Sequence, residues 1–206
     1  MANNENEHWV TPVGVAVYPR LNEPDTKFDP NGVFSVTLRL NAEEGTAFLG
    51  RLEKKLEAYY EEQVKLARKP SLKKASLPHA LTIGDDGAET GEHEFKFKLK
   101  HNVTTRAGKS WTQRPKLFDS ELKGFTGPVI GGGSELILNF SPITYYTPTL
   151  GCGITLRLKA AQVIKFVAYE SKSMDFGFEA QSDGFKAPEE LEPKFNEDPV
   201  TSADEL

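Results

Sequence analysis

The feature that most constrains the fold is the strict alternation in residues 94–100, whose sequence is EFKFKLK. Phe95, Phe97 and Leu99 recur at every second position, and a lysine follows each of them. Because successive side chains of a β-strand point to opposite sides of the sheet, this segment predicts a strand with one apolar and one cationic face. Such a strand needs a hydrophobic core on one side and solvent or an anionic partner on the other.

The other periodic segments predict a mainly β fold with one helix. Further strands are predicted at residues 9–18, 33–40, 110–118, 135–140 and 153–169. Asn41 and Glu44 form a capping box, and the apolar residues that follow at helical spacing predict a helix over residues 42–68. The polar segments 19–32 and 70–91, which are rich in Pro and Gly, are expected to be loops.

About six short strands at uneven spacing favour a small barrel or sandwich over a parallel βαβ sheet. The periodicity disappears after Glu170, where prolines occur among acidic residues. We therefore expect one domain over residues 1–170 and a disordered acidic tail over residues 171–206. The sequence leaves open whether the protein is a monomer or a homodimer.

The formal net charge of −5 conceals a strong asymmetry along the chain. Residues 171–206 contain ten acidic residues and three lysines, whereas residues 95–165 contain eleven basic and three acidic residues. A basic body with an acidic tail is expected when nucleic acid or another anionic partner is involved. A solvated tail on an ordinary domain explains the same charges equally well.

Several classes of function lack a supporting motif. No apolar stretch approaches the ~20 residues of a membrane span, and the N-terminus resembles no secretory signal, so a cytoplasmic location is expected. Gly108-Lys109-Ser110 lacks the remaining glycine and the following helix of a phosphate-binding loop. No histidine lies in a recognisable triad context, and Cys152 has no evident partner. We expect no catalytic residues, no metal and no cofactor.

Basic strands interleaved with aromatic residues are the positive signal. A groove for single-stranded nucleic acid needs cations along the phosphates and flat rings on which bases stack. The candidates for phosphate contacts are Arg39, Lys96, Lys98, Lys100, Arg106, Lys109, Arg114 and Lys116. The candidates for base stacking are Trp111, Tyr18, Tyr145 and Tyr146. The alternative is that the lysines form the solvated face of a sheet and the tyrosines pack in the core or in turns.

Residues 134–167 resemble the C-terminal half of bacteriophage single-stranded DNA-binding proteins with an OB fold. That family has a Gly-x-x-Leu-x-Leu-x-x-x-Gln-Val strand, and the matching positions here are Gly153, Leu156, Leu158, Gln162 and Val163. The RPKLFD run at residues 114–119, the helix within the strand order and the acidic C-terminus are also similar. The resemblance implies an OB-type barrel of five or six strands with one inserted helix.

The same resemblance implies sequence-independent binding of single-stranded DNA in support of phage replication and recombination. In such proteins the tail recruits replication enzymes or competes with DNA for the basic groove. Two other classes remain open: a protein-interaction or virion-associated β-protein that does not touch nucleic acid, and a binder of duplex DNA or RNA. An enzyme is the least expected class, because the acidic residues concentrate in the helix, loops and tail.

Overall fold

The computed structural model of the chain describes residues 7–68, 71–84, 87–105 and 107–169, which form ten strands and one helix. The first half contains β1 (Trp9–Val10), β2 (Gly14–Asp25), β3 (Val33–Leu40), α1 (Ala42–Ala67), β4 (His79–Ile83) and β5 (Glu89–Lys100). The second half contains β6 (Asn102–Thr104), β7 (Ser110–Thr112), β8 (Lys116–Phe118), β9 (Glu135–Thr147) and β10 (Gly151–Lys165). The predicted disordered tail lies outside the described residues.

Five of these strands close into a barrel in the order β2-β3-β5-β10-β9, with β9 pairing back to β2. The β5–β10 pair is parallel, and the other four pairs are antiparallel. One parallel closure in a five-stranded barrel is the Greek-key arrangement of an OB fold. The prediction of a mainly β, OB-type barrel with one inserted helix is confirmed.

The alternating strands fill the barrel interior as their patterns predict. On β3, Phe34 and the three apolar residues that follow it at every second position are almost completely buried. On β5, Phe95, Phe97 and Leu99 are buried in the same way, and Phe97 meets Phe140 of β9 at a centroid distance of 5.0 Å. Burying a side chain of this size contributes about 1.5–3 kcal/mol, so the inner faces of these strands carry much of the stability.

Helix α1 closes one end of the barrel with its first half. Its N-cap is Asn41, whose side-chain oxygen accepts a hydrogen bond from the backbone N–H of Glu44, as the capping box predicts. Phe48 points into the barrel and lies 4.8 Å from the ring of Phe95. The bounds 42–67 confirm the predicted helix of residues 42–68 to within one residue.

Strands β5 and β10 diverge beyond their paired residues, which are Phe97–Lys98 and Leu156–Arg157. Towards the N-terminal ends of both strands, β4 pairs with β5, and residues 73–75 pair with Cys152 at the start of β10. The chain between α1 and β5 therefore lies in the gap where β5 and β10 separate, which we call the fork. The sequence prediction of a loop over residues 70–91 is wrong here, because tertiary pairing with β5 and β10 gives this polar segment a partner.

The predicted boundaries in the N-terminal region also need correction. The predicted strand 9–18 is split between β1 and β2 around Pro12, which has no N–H to donate to a ladder. The predicted loop 19–32 is strand as far as Asp25, because β3 pairs with it irregularly, through Arg20–Ser35 and Asp25–Val33. A register shift of this kind conceals the alternation on which a sequence-based prediction depends.

Three later strands differ from the prediction as well. The predicted strand 110–118 is divided into β7 and β8, with Pro115 in the gap. The strand predicted at 135–140 continues through Pro142 to Thr147. The proline is tolerated because it lies beyond Phe140, which is the last β9 residue that pairs with β1. The predicted strand 153–169 is β10, which ends at Lys165 and shifts register between Leu158 and Ala160, next to the predicted bend.

Candidate nucleic-acid interface

The three lysines of the alternating segment lie on the outer face of the barrel. Lys96, Lys98 and Lys100 are exposed, whereas the residues between them are buried in the core. Their partners on β3 are small or uncharged: Thr37 lies opposite Lys96, and Ser35 lies opposite Lys98. The sequence pattern therefore correctly places these cations together on one side of a strand.

Lys98 belongs to a row of cations that crosses four strands. Arg20 of β2 is paired with Ser35 of β3, Ser35 with Lys98 of β5, and Lys98 with Arg157 of β10. Directly paired residues of neighbouring strands project from the same face, and neighbouring strands lie ~4.8 Å apart. We call Arg20, Lys98 and Arg157 the cation row; it spans roughly 14 Å of the outer face.

The sequence prediction missed two members of this row. Arg157 lies between the buried Leu156 and Leu158, so the same alternation that identifies Lys98 was available to identify it. Arg20 carried no comparable signal, because it follows Pro19 at the irregular part of β2. Its position on the outer face depends on the irregular pairing of β2 with β3, which the local spacing of residues does not reveal.

Arg39 lies on the outer face of β3, but it is engaged by neighbouring carboxylates. Its Nε and Nη2 donate hydrogen bonds of 3.0 and 2.8 Å to Oε1 of Glu94 on β5. Glu92 adds a second carboxylate at 3.9 Å from Nε. The positive charge of Arg39 is therefore largely offset by these carboxylates. Arg39 lies at the end of the outer face that is furthest from Lys100 along β5.

A groove opens where β5 and β10 diverge, and we call it the fork groove. It has a volume of about 560 Å³ and contains both Lys96 and Lys98 on its β5 side. Residues 76–80 form one wall, and Tyr145 of β9 forms part of the other. Tyr145 is paired with Gly153, where an added Cβ would lie 2.4 Å from the ring. The absence of a side chain at Gly153 lets the tyrosine ring lie against the sheet.

The remaining candidate tyrosines are placed apart from Tyr145. Tyr146 is the next residue of β9 and is paired with the buried Cys152, so its side chain projects from the opposite side of the strand. Tyr18 is 87% exposed, at the register shift of β2, and has a positive φ of 48°. A non-glycine residue with this φ is uncommon, and such residues cluster at functional sites.

Trp111 and Lys109 lie on a hairpin that continues from β5 beyond the barrel. Strands β6 and β7 pair only with each other among the described strands, and Trp111 is opposite Val103. The indole is 42% exposed, and Lys109 is exposed next to the hairpin turn. Arg106, a further predicted contact, lies outside the described residues. The hairpin presents an accessible ring and a cation without burying either.

Arg114 and Lys116 occupy the region where the chain returns from the hairpin to β10. Arg114 lines a second groove of about 320 Å³ with Leu21 and Phe125. Lys116 is exposed on β8, where it pairs with Ala160 of β10. These two cations therefore extend the basic surface past the C-terminal end of β5 and lie outside the fork groove.

The other polar features of the described residues include no cluster of metal ligands. No three His, Cys, Asp or Glu side chains come together as metal ligands in the part of the chain that the structure describes. Within the same residues, no helix is long and apolar enough to cross a membrane. His79 lines the fork groove, and its Nε2 lies 2.8 Å from Nδ1 of His93. Burial and the neighbouring His93 lower the pKa of His79.

Solved structures with a similar fold include proteins from two bacteriophages. The single-stranded DNA-binding protein gp2.5 encoded by bacteriophage T7 matches with a TM-score of 0.66 and 21% identity, over 88% of this chain and 99% of that chain. The single-stranded DNA-binding protein from bacteriophage Enc34 matches with a TM-score of 0.54 and 15% identity, over 82% and 88%. Its complex with single-stranded DNA matches with a TM-score of 0.54 and 16% identity, over 77% and 86%.

No family model matches the sequence, and no curated protein matches it significantly. The likeness is therefore visible in the arrangement of strands, at identities that are low along the whole chain. It covers most of both molecules. The resemblance predicted from residues 134–167 is confirmed at the level of structure: the chain has the OB-type fold of the bacteriophage single-stranded DNA-binding proteins.

Proposed function

We propose that the protein binds single-stranded DNA without sequence preference, through the outer face of β3, β5 and β10. The observation that carries this proposal is the cation row, which crosses the strands beside the fork groove and its half-buried ring, Tyr145. Cations in such a row can follow a phosphate backbone, and the rings can stack on bases of any sequence. The T7 and Enc34 proteins of the same fold, which are named for binding single-stranded DNA, support this reading.

A single strand fits this surface better than a duplex. The rings of Tyr145 and Trp111 can stack only on bases whose faces are accessible, and a duplex hides those faces in its own stack. The one helix among the described residues, α1, packs its first half across the end of the barrel, away from the cation row on the strands. We therefore place phosphate contacts on the lysines and arginines and base contacts on the rings.

The biological role that follows is support of phage DNA replication and recombination, without catalysis. A protein that coats transient single strands protects them and keeps them accessible to other enzymes. The acidic residues 171–206 are suited either to recruiting such enzymes or to competing with DNA for the cations. The chain is expected to work as a monomer or a homodimer in the host cytoplasm.

The test compares two lysine-to-glutamate variants, one in the cation row and one outside it. Lys98→Glu, in the cation row, should weaken binding of a fluorescent dT strand about tenfold and reduce the slope of log affinity against log salt by about 0.7 or more. Lys54→Glu, on the exposed side of α1, is the matched control and should leave both nearly unchanged. Fluorescence anisotropy at several salt concentrations measures both quantities.

Competition with unlabelled duplex DNA and RNA completes the experiment. The proposal requires that the dT strand be displaced by single-stranded DNA at much lower concentration than by the duplex. Equal displacement by duplex or RNA would assign the face to general phosphate binding. No salt-dependent binding of any nucleic acid would overturn the proposal and favour the protein-interaction class.

A further inference from the structure

We propose that the fork groove is a pocket for a single nucleobase turned out of the bound strand, with Tyr145 stacking on that base. The inference rests on the proposed function and adds a defined subsite to it. The cation row accounts for the sugar-phosphate backbone, whereas the fork groove is a concave site beside the row. Two of the groove residues, Lys96 and Lys98, belong to the cationic face, so a strand that follows these lysines passes the groove opening.

The wall that contains Tyr145 is suited to a flat ring. Tyr145 lies against Gly153, whose missing side chain leaves the space that the tyrosine ring occupies. A ring held in this way has little freedom and loses little entropy when a base stacks on it. Aromatic surfaces of this kind accept every base, because every base has a π-face.

The opposite wall, residues 76–80, combines apolar side chains with Ser76 and His79 and is held in place by the sheet. Leu77, Pro78 and Ala80 contribute hydrocarbon surface to the groove, and Leu77 also packs against the core. The carbonyl oxygen of Pro78 accepts a hydrogen bond of 3.0 Å from the backbone N–H of Lys96. This wall is therefore part of the β5 ladder, and the groove exists before any ligand arrives.

The polar groups and the size of the groove fit a nucleoside. Thr37 and Thr155 place hydroxyl groups along the groove, where they can bond the edge of a base without selecting one sequence. Sites for small molecules commonly have volumes of about 300–1,000 Å³, and the fork groove has about 560 Å³. Turning a base out of a duplex costs a few kcal/mol of stacking and pairing, so such a pocket also favours single strands.

The test separates recognition of bases from recognition of phosphates. We would measure the affinity of the full chain for a dT strand of about 16 nucleotides and for an abasic deoxyribose-phosphate strand of the same length. Ala80→Trp fills the groove, and Gly153→Ala displaces the ring of Tyr145. Ala58→Trp, on the exposed face of α1, introduces the same side chain outside the groove and is the matched control.

The two groove variants should weaken dT binding about tenfold and leave abasic binding and the salt slope of both strands unchanged. The control should match the wild type on both strands. An unchanged ratio of dT to abasic affinity in folded Ala80→Trp would overturn the pocket while the proposed function stands. Equal losses on both strands would also overturn it, because the groove would then hold the backbone. Failure of the wild type to bind either strand would overturn the proposed function itself.

Discussion

The barrel face and the β6–β7 hairpin carry the same kinds of side chain on very different supports. Lys98 lies on a strand with neighbours on both sides and core residues before and after it in the sequence. Trp111 lies on a two-stranded sheet of three residue pairs, tied to the barrel by hydrogen bonds such as that from the side-chain amide of Gln113 to the carbonyl of Lys100 on β5. A two-stranded hairpin is marginally stable by itself. The barrel therefore supplies fixed positions, and the hairpin supplies an adjustable contact.

The largest expected effect tests which region carries the fold. Phe140→Ala removes a fully buried ring that contacts Trp9, Phe48 and Phe97, and it should lower the free energy of unfolding by about 3–5 kcal/mol. Val103→Ala in the hairpin should cost less than about 1 kcal/mol. Chemical denaturation measures both. Similar losses for the two variants would show that the hairpin is part of the cooperative core.

The next largest effect concerns DNA binding, for which a change in the hairpin should matter more than a change in the barrel core. Trp111→Ala should weaken single-strand binding by about 1–3 kcal/mol, because a stacking ring is lost, and should leave the melting temperature unchanged. Trp9→Phe is a useful control, because the Trp9 ring is held between Arg51 of α1, at 4.5 Å, and the edge of Phe140. Affinity equal to that of the wild type in folded Trp111→Ala would remove the hairpin from the binding surface.

A smaller effect, of opposite sign, is expected on the barrel face. Glu94→Gln removes the carboxylate that holds Arg39, which should raise the affinity for a dT strand a few-fold and steepen its salt dependence. Glu92→Gln is the matched control, since Glu92 is 3.9 Å from the guanidinium and more exposed. Anisotropy titrations at two salt concentrations measure the change. Weaker binding in Glu94→Gln would mean that the ion pair positions Arg39 for DNA.

The smallest effect depends on pH and is confined to the barrel. The pKa of His79 is lowered by burial and then by His93, while Glu53 of α1 acts in the opposite direction. As the pH falls below the ordinary histidine value of about 6.5, the unfolded chain therefore takes up a proton that the folded chain resists, and stability should decrease. Thermal melting of wild type and His79→Asn between about pH 7.5 and 5.5 should show a flatter profile for the variant.

The hairpin provides the reference for that measurement. Trp111→Ala changes no titrating group and should keep the full pH dependence of the wild type. A profile in His79→Asn as steep as that of the wild type would show that another group governs the acid sensitivity of the barrel.

The sequence predicted best the elements whose residue pattern is set within the element itself and is not altered by pairing with other strands. Strands β3 and β5 have strict alternation because the barrel core covers one face and the other is open, and helix α1 has its own capping box. The fork was not predictable, since β4 has no alternation of its own and exists through pairing with β5. The predictions at two prolines were the wrong way round: the predicted strand 110–118 runs through Pro115, which separates β7 from β8, and the predicted strand 135–140 stops before Pro142, which lies within β9.

The same distinction applies to the residues of the candidate site: those with a local pattern were predicted, and those that depend on strand pairing were not. The lysines of β5 were predicted because their spacing is local, whereas Arg20 joins them only through the pairing of β2 with β3. The engagement of Arg39 by Glu94 also depends on register between two strands, which composition and spacing do not reveal. Tyr145 and Tyr146 looked equivalent in sequence, and their strand position places them on opposite sides.

The most direct test of the account is a titration of intrinsic tryptophan fluorescence with a dT strand at low and at high salt. Because Trp9 is packed and Trp111 is exposed, we predict strong quenching at low salt, weaker binding at high salt, and loss of the signal in Trp111→Phe. No quenching and no mobility shift at low salt would contradict the assignment of the basic face to single-stranded DNA.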